Sequence, residues 1–229
     1  MRNLPKGPTP QSLAENKESW DRMLGENPSE VNKNRYRHPE IKATLLSETH
    51  HKCAYCESKI GHNCPGDIEH KIPKAKRPDL IFEWNNMTIA CSECNRRKLE
   101  YYNPECMFLD PNVDDVESLV IHVGPIVFNT PGEARSEVTI RILELNSPHK
   151  RKELLARKIE RLEQIRNLVE RIVKERNTVL KQFMLEDLYQ KCSTPEEFSG
   201  MVKAYVEGIP GDWVNYSVVI VEPQPLQAN

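Results

Sequence analysis

The chain has 229 residues, 38% hydrophobic and 29% charged, with 32 Lys and Arg against 34 Asp and Glu and a formal net charge of −2. That length can bury a core, while the polar composition and the lack of any apolar run of about 18 residues predict no membrane-spanning helix. The charge shows no overall basic surplus, so any attraction for phosphate must come from local clustering.

Met1 to Lys6 carries charge without the apolar stretch of a secretory signal, and the expected location is the cytoplasm. Residues 1–50 read as a helical lead-in, with one helical piece from Glu18 to Leu24 and another opened by Pro39 at its first position and carrying Ile41, Leu45 and Leu46. From Cys53 to Lys98 the pattern is short and punctuated: a knuckle, a turn over Asn63 to Gly66, a strand around Ile68 to Ile72, Pro73 and Pro78, then a helix starting near Cys91.

Alternation in Leu119 to Val123 and again in Val138 to Leu143 predicts two strands of a small antiparallel pair, with Gly124-Pro125 and Pro131-Gly132 between them. These complete a core over residues 51–147. Apolar residues then return at helical spacing (Leu155, Leu162, Ile165, Val169, Ile172, Val179, Phe183, Leu188), which predicts one long helix or two in a helical region over 148–221. The apolar stripe of the long helix can cover the sheet, its own domain or a partner. Thr194-Pro195-Glu196-Glu197 reads as an N-cap, a first-turn proline and a capping-box glutamate, opening a last helix through Tyr205; residues 222–229 are expected to be disordered. The fold class is therefore α+β. No repeat and no glycine-rich phosphate loop occurs.

The seven cysteines suit metal better than a disulfide framework. Two pairs, Cys53-x-x-Cys56 and Cys91-x-x-Cys94, offer four soft thiolates, and a two-residue spacer lets both sulfurs of a knuckle reach one tetrahedral ion at about 2.3 Å. Such a zinc site is closed and structural, and zinc-finger peptides suggest a contribution on the order of 10 kcal/mol to local folding. A redox role accounts for one such pair but not for two. Cys64, Cys106 and Cys192 read as ordinary thiols.

Between the knuckles lie Asp67-Ile68-Glu69-His70 and Trp84-Asn85-Asn86; Asn95 follows the second knuckle and leads into Arg96, Arg97 and Lys98. Phosphodiester hydrolysis needs a deprotonated water, a positive centre on the phosphate and help for the leaving alkoxide. His70 has the pKa range of a general base, and Glu69 with the amide oxygen of Asn95 are hard ligands suited to Mg²⁺ or Mn²⁺. Adjacent side chains on a strand point to opposite faces, so Glu69 and His70 can serve one phosphate only if the chain bends, at Gly66 or Pro73. Lys71, Lys74, Arg96, Arg97 and Lys98 are the candidate nucleic-acid contacts. Read singly, a strand histidine or a turn asparagine is as readily structural.

This order of elements resembles the HNH, or ββα-metal, nuclease family, here as an H-N-N variant with Asn95 where a final histidine is commoner. The resemblance implies His70 as general base, Glu69 and Asn95 as ligands of the catalytic divalent ion, and Asn86 as the residue that orients the catalytic loop. Wider similarity runs from Cys53 to Arg161. It includes Phe82-Glu83-Trp84-Asn85-Asn86, Ala90-Cys91-Ser92-Glu93-Cys94-Asn95, Leu109-Asp110-Pro111 and the run from Thr139 to Asn146. These resemble the HNH subunits of Septu anti-phage systems and related retron operons. That resemblance implies phage defence by cleavage of DNA, or of RNA, alongside an ABC-type ATPase partner, PtuA. A zinc-stabilised binding or assembly module without catalysis is the alternative; it needs the cysteines but not His70.

Overall fold

The computed structural model describes residues 1–61 and 64–209. Helices α1 (Gln11–Glu26), α2 (Glu30–Lys33) and α3 (Pro39–Glu48) lead into strands β1 (Asp67–His70) and β2 (Met87–Ala90), and then helix α4 (Ser92–Lys98). Next come α5 (Val116–Leu119), β3 (Val120–Val123), β4 (Ile126–Asn129), α6 (Ala134–Ile142), α7 (Lys152–Lys174), α8 (Thr178–Cys192) and α9 (Ser199–Glu207). The architecture is mixed α and β with two small antiparallel hairpins. No helix among the described residues is long and apolar enough to cross a membrane.

Local chemistry explains the helix starts. Pro39 occupies the first turn of α3, where its missing N–H costs nothing, and the His38 side chain accepts from the Glu40 amide. Asn177 caps α8 by accepting from Leu180 N at 3.0 Å. The N-terminal helices pack on the first hairpin through buried Leu13, Trp20, Ile41, Leu45, Phe82, Met87 and Ile89. Trp20 meets Phe82 edge-on at 5.5 Å, and burying a side chain such as Phe82 contributes about 1.5–3 kcal/mol. This packing fixes the lead-in against the hairpin.

The second hairpin differs from the sequence expectation. β3 pairs with Ile126–Asn129 across a Gly124-Pro125 turn in which Gly124 has φ +57°, and residues 134–142 form a helix where Val138 to Leu143 predicts a strand. The buried positions explain why: Ser136, Thr139, Ile140 and Leu143 recur at helical spacing, and two of them are hydroxyl residues that an apolar pattern overlooks. Thr139 is satisfied by donating to Arg135 O at 2.8 Å while accepting from Leu109 N at 2.9 Å.

The region after Pro148 forms two helices, α7 and α8, whose buried stripe holds Leu155, Ile165, Val169, Ile172 and Leu188, with Val179 and Phe183 exposed. The last helix starts at Ser199 and not at Pro195, after Phe198 in the left-handed region at φ 56°. The glutamates expected to cap it are held elsewhere: Glu196 pairs with Arg161 at 2.9 Å, and Glu197 pairs with Arg157 and accepts from Lys59 N at 2.8 Å. The expected disordered tail, the end of the 148–221 region and Asn63 of the expected turn lie outside the described residues.

Candidate active site and metal centre

Cys53 and Cys56 lie on a knuckle tied to β2 by Ala54 N donating to Ile89 O at 3.0 Å, and Cys91 is the N-cap of α4, its sulfur accepting from Cys94 N. The four sulfurs are buried and lie within 4.8 Å of one another. The Cys56 and Cys91 sulfurs are 3.7 Å apart, close to the roughly 3.8 Å edge of a tetrahedron with 2.3 Å arms. Four converging thiolates with no other donor fit zinc. A zinc tetrathiolate carries two net negative charges, and two buried cations stand beside the quartet. Arg151 donates to the Cys94 sulfur at 3.5 Å and to Leu143 O at 2.8 Å, and Lys158 shares a small buried void with Cys56 and Glu57. Both belong to the start of α7, so the knuckle and this helix are electrostatic partners.

β1 pairs with β2 in the register Asp67 to Ala90, Glu69 to Thr88 and His70 to Met87, and α4 lies across both strands. Alternation puts Asp67 and Glu69 on the face toward α4, where residues three apart present the matching side chains. Asn95 Nδ2 donates to Asp67 Oδ2 at 3.2 Å, and Lys98 Nζ meets Glu69 Oε1 at 2.5 Å. That Oε1 takes no hydrogen bond, so the Lys98 ion pair is its polar contact within the protein. Asp67 is the acidic residue that the sequence reading missed; its signal was its place two residues before Glu69.

His70 faces the other way. Its ring packs edge-on against Tyr36, with centroids 4.6 Å apart, and Nε2 lies 2.9 Å from Ile81 O. A carbonyl can only accept, so Nε2 carries the proton and the lone pair is left on Nδ1. Burial, helped by Lys74 and Lys98, lowers the His70 pKa to about 4 against the opposing pull of the Ile81 carbonyl, and the ring is neutral at pH 7. Burial raises the Glu69 carboxyl, opposed by Lys98.

Although Asp67 and Glu69 point to the strand face opposite His70, all three line, with Asn95 of α4, one open groove of about 1410 Å³. Gly66, one of the two positions where a bend is expected, has φ +68° just before β1, and an added Cβ there would come within 2.8 Å of Ile60. After β1, Asn86 holds the 71–81 loop: Oδ1 accepts from Ile72 N at 2.8 Å, and Nδ2 donates to Ile72 O at 3.1 Å and Leu80 O at 3.2 Å. Among the described residues, the cysteine quartet is the one close cluster of three or more Cys, His or acidic ligands. The Asp67 and Glu69 carboxylates that line the groove belong to no such cluster.

Of the five basic candidates, only Lys74 lines this groove. Lys71 pairs with Asp110 at 2.7 Å, Arg96 with Glu93 at 3.0 Å, and Arg97 with Glu144. Lys98 is buried, donating to His70 O at 2.9 Å as well as meeting Glu69. The other groove cations, Lys33, Arg37 and Lys42, come from the N-terminal segment. Sequence reasoning passed over them because they lie outside the motif.

A zinc-type quartet thus brackets a ββα unit whose acidic strand face is opposed to a helix asparagine. Residues 53–100 match the HNH endonuclease family model. Its curated relatives include the Septu protein PtuB of Bacillus thuringiensis, 28% identical over 110 residues covering 47% of this chain and 42% of that protein. The Septu protein PtuB of Bacillus mycoides (strain KBAB4) is 28% identical over 142 residues, covering 48% of each. The chain thus resembles PtuB and spans less than half the length of the curated relatives it matches.

Proposed function

We propose that the chain is a divalent-metal-dependent endonuclease that hydrolyses phosphodiester bonds in nucleic acid, with DNA as the expected substrate and RNA as the second polymer to test. The observation that carries this reading is the convergence of His70, Glu69, Asp67 and Asn95, from different elements and opposite strand faces, on one groove. His70, held through its Nε2 proton by the Ile81 carbonyl, takes a proton from the attacking water at Nδ1. Glu69 and Asn95, the latter held by Asp67, would hold Mg²⁺ or Mn²⁺, which when bound would polarise the phosphate and stabilise the leaving oxygen. Lys98 balances the buried Glu69 carboxylate, and Asn86 positions the loop whose Ile81 carbonyl orients the base.

Purified protein with Mg²⁺ or Mn²⁺ is expected to cut plasmid DNA or RNA. His70→Ala should lower the rate about 10²–10⁴-fold while the zinc content stays unchanged. Equal rates in the two proteins would overturn the assignment. One observation favours a second reading, a binding or assembly module without catalysis: Lys98 already partners Glu69 inside the ligand set. The same comparison separates the two.

By its likeness to PtuB, the chain is further proposed to act in Septu-type anti-phage defence beside an ABC-type ATPase, PtuA. Co-purification with an ATPase encoded alongside supports this. Full protection of cells by this chain alone, with the ATPase deleted, would sink it.

A further inference from the structure

Tyr36 sits in the short 3₁₀ turn Arg35–Arg37, between α2 and α3 and outside the residues that match the HNH model. Its ring is buried against the edge of His70, and Tyr36 is among the residues that line the groove. Two cations converge on that one oxygen: Lys74 Nζ donates to it at 2.7 Å and Arg37 Nε at 3.3 Å. Lys74 also lies over the ring, 4.5 Å from its centroid.

Neither cation forms a direct ion pair among the described residues, although the Glu30 and Asp67 carboxylates act on Arg37, and Glu30 and Glu69 interact with Lys74, over longer distances. Elsewhere in this chain basic side chains are typically matched with carboxylates, as Lys71 is with Asp110 and Arg135 with Asp114. Two like charges gathered on a neutral hydroxyl repel, and an anion between them relieves that repulsion. The hydroxyl accepts from both cations, so its own proton is free to donate. The notch thus offers a guanidinium, an ammonium and an O–H, a donor set that matches phosphate oxygens. It opens on the same groove as Glu69, His70 and Asn95, with Lys33 and Lys42 on the same groove lining.

We infer that Tyr36, Arg37 and Lys74 form a binding notch for a backbone phosphate of the substrate beside the one cleaved, so that the segment preceding the HNH domain is part of the nucleic-acid site. The inference rests on the nuclease reading for the identity of its ligand but not for the existence of an anion site. Tyr36 contributes twice, as a positioning residue through its contact with His70 and as a phosphate donor through its hydroxyl.

The test measures binding without cleavage. In His70→Ala protein, the affinity for a fluorescein-labelled single-stranded and duplex DNA oligonucleotide is followed against salt concentration. Arg37→Gln and Lys74→Gln should each weaken binding several-fold and reduce the slope of log K against log salt by about 0.7 for the single strand and 0.9 for the duplex. Arg166→Gln, an exposed change on α7, should leave both unaffected. Tyr36→Phe keeps the buried ring and should weaken binding with an unchanged melting temperature. Affinities and slopes unchanged in correctly folded Arg37→Gln and Lys74→Gln would overturn the notch while leaving the nuclease assignment to its own His70 cleavage test. If the notch variants lose binding but His70→Ala cuts like the parent, the notch stands and the catalytic assignment falls.

Discussion

Lys98 and Glu69 are each almost fully buried, and the value of their ion pair depends on whether a metal is present. Removing one partner of a buried pair leaves an uncompensated charge, at a typical cost of about 3–5 kcal/mol. Lys98→Met is therefore expected to lower the melting temperature in the absence of divalent metal. It should also enlarge the stabilisation by added Mn²⁺ above that of the parent, because a nearby positive charge is gone. A smaller Mn²⁺ shift in the variant would argue that Glu69 does not face the ion.

His122 is half-buried, with both ring nitrogens shielded from solvent and without a hydrogen-bond partner among the described residues. Burial lowers its pKa to about 3, reinforced by the Met1 ammonium and by Lys158 and Arg2, and opposed by Glu57. The unfolded ring titrates near 6.5, so between about pH 6.5 and 3 the unfolded chain binds the extra proton and stability falls as pH falls. Denaturant titrations at pH 7, 6 and 5 should show that loss, and it should be smaller in His122→Leu. An identical pH slope in the variant would remove His122 as the cause.

At the scale of elements, the site depends on matching two periodicities. β1 presents Asp67 and Glu69 two residues apart, and α4 answers with Asn95 and Lys98 three residues apart. That pairing was half legible: Glu69 and Asn95 stood out in the motif, whereas Asp67 and the inward turn of Lys98 depend on which faces meet. α6 teaches the same lesson, since Val138 to Leu143 alternates like a strand but buries Ser136, Thr139, Ile140 and Leu143 on a helical face. α7 is bound to the metal centre by Arg151, which donates to a zinc-site sulfur. Arg151→Leu is expected to lower thermal stability in zinc-loaded protein and to raise hydrogen exchange at the start of α7. An unchanged exchange pattern would show that the guanidinium is not what seats the helix.

Taken as a whole molecule, the zinc quartet joins three parts of the chain: the first knuckle, the β2–α4 junction and, through Arg151, the start of α7. Chelating zinc should therefore do more than loosen the residues between the knuckles. It is expected to abolish cooperative melting of the hairpin together with the start of α7, read by hydrogen exchange over residues 53–98 and 151–160. Loss of protection confined to 53–98 would mean that α7 docks independently of the metal.

The pairing of Cys53, Cys56, Cys91 and Cys94, the match to the HNH model and the α+β class were legible in the amino-acid sequence. Ligand spacing is a local covalent property, so a chain of letters records it. The groove, the tautomer of His70, the burial of Lys98 and the convergence of Arg37 and Lys74 on Tyr36 were decided only by the tertiary structure. Those features depend on which side chains meet across long stretches of chain, and which of them lose water in doing so.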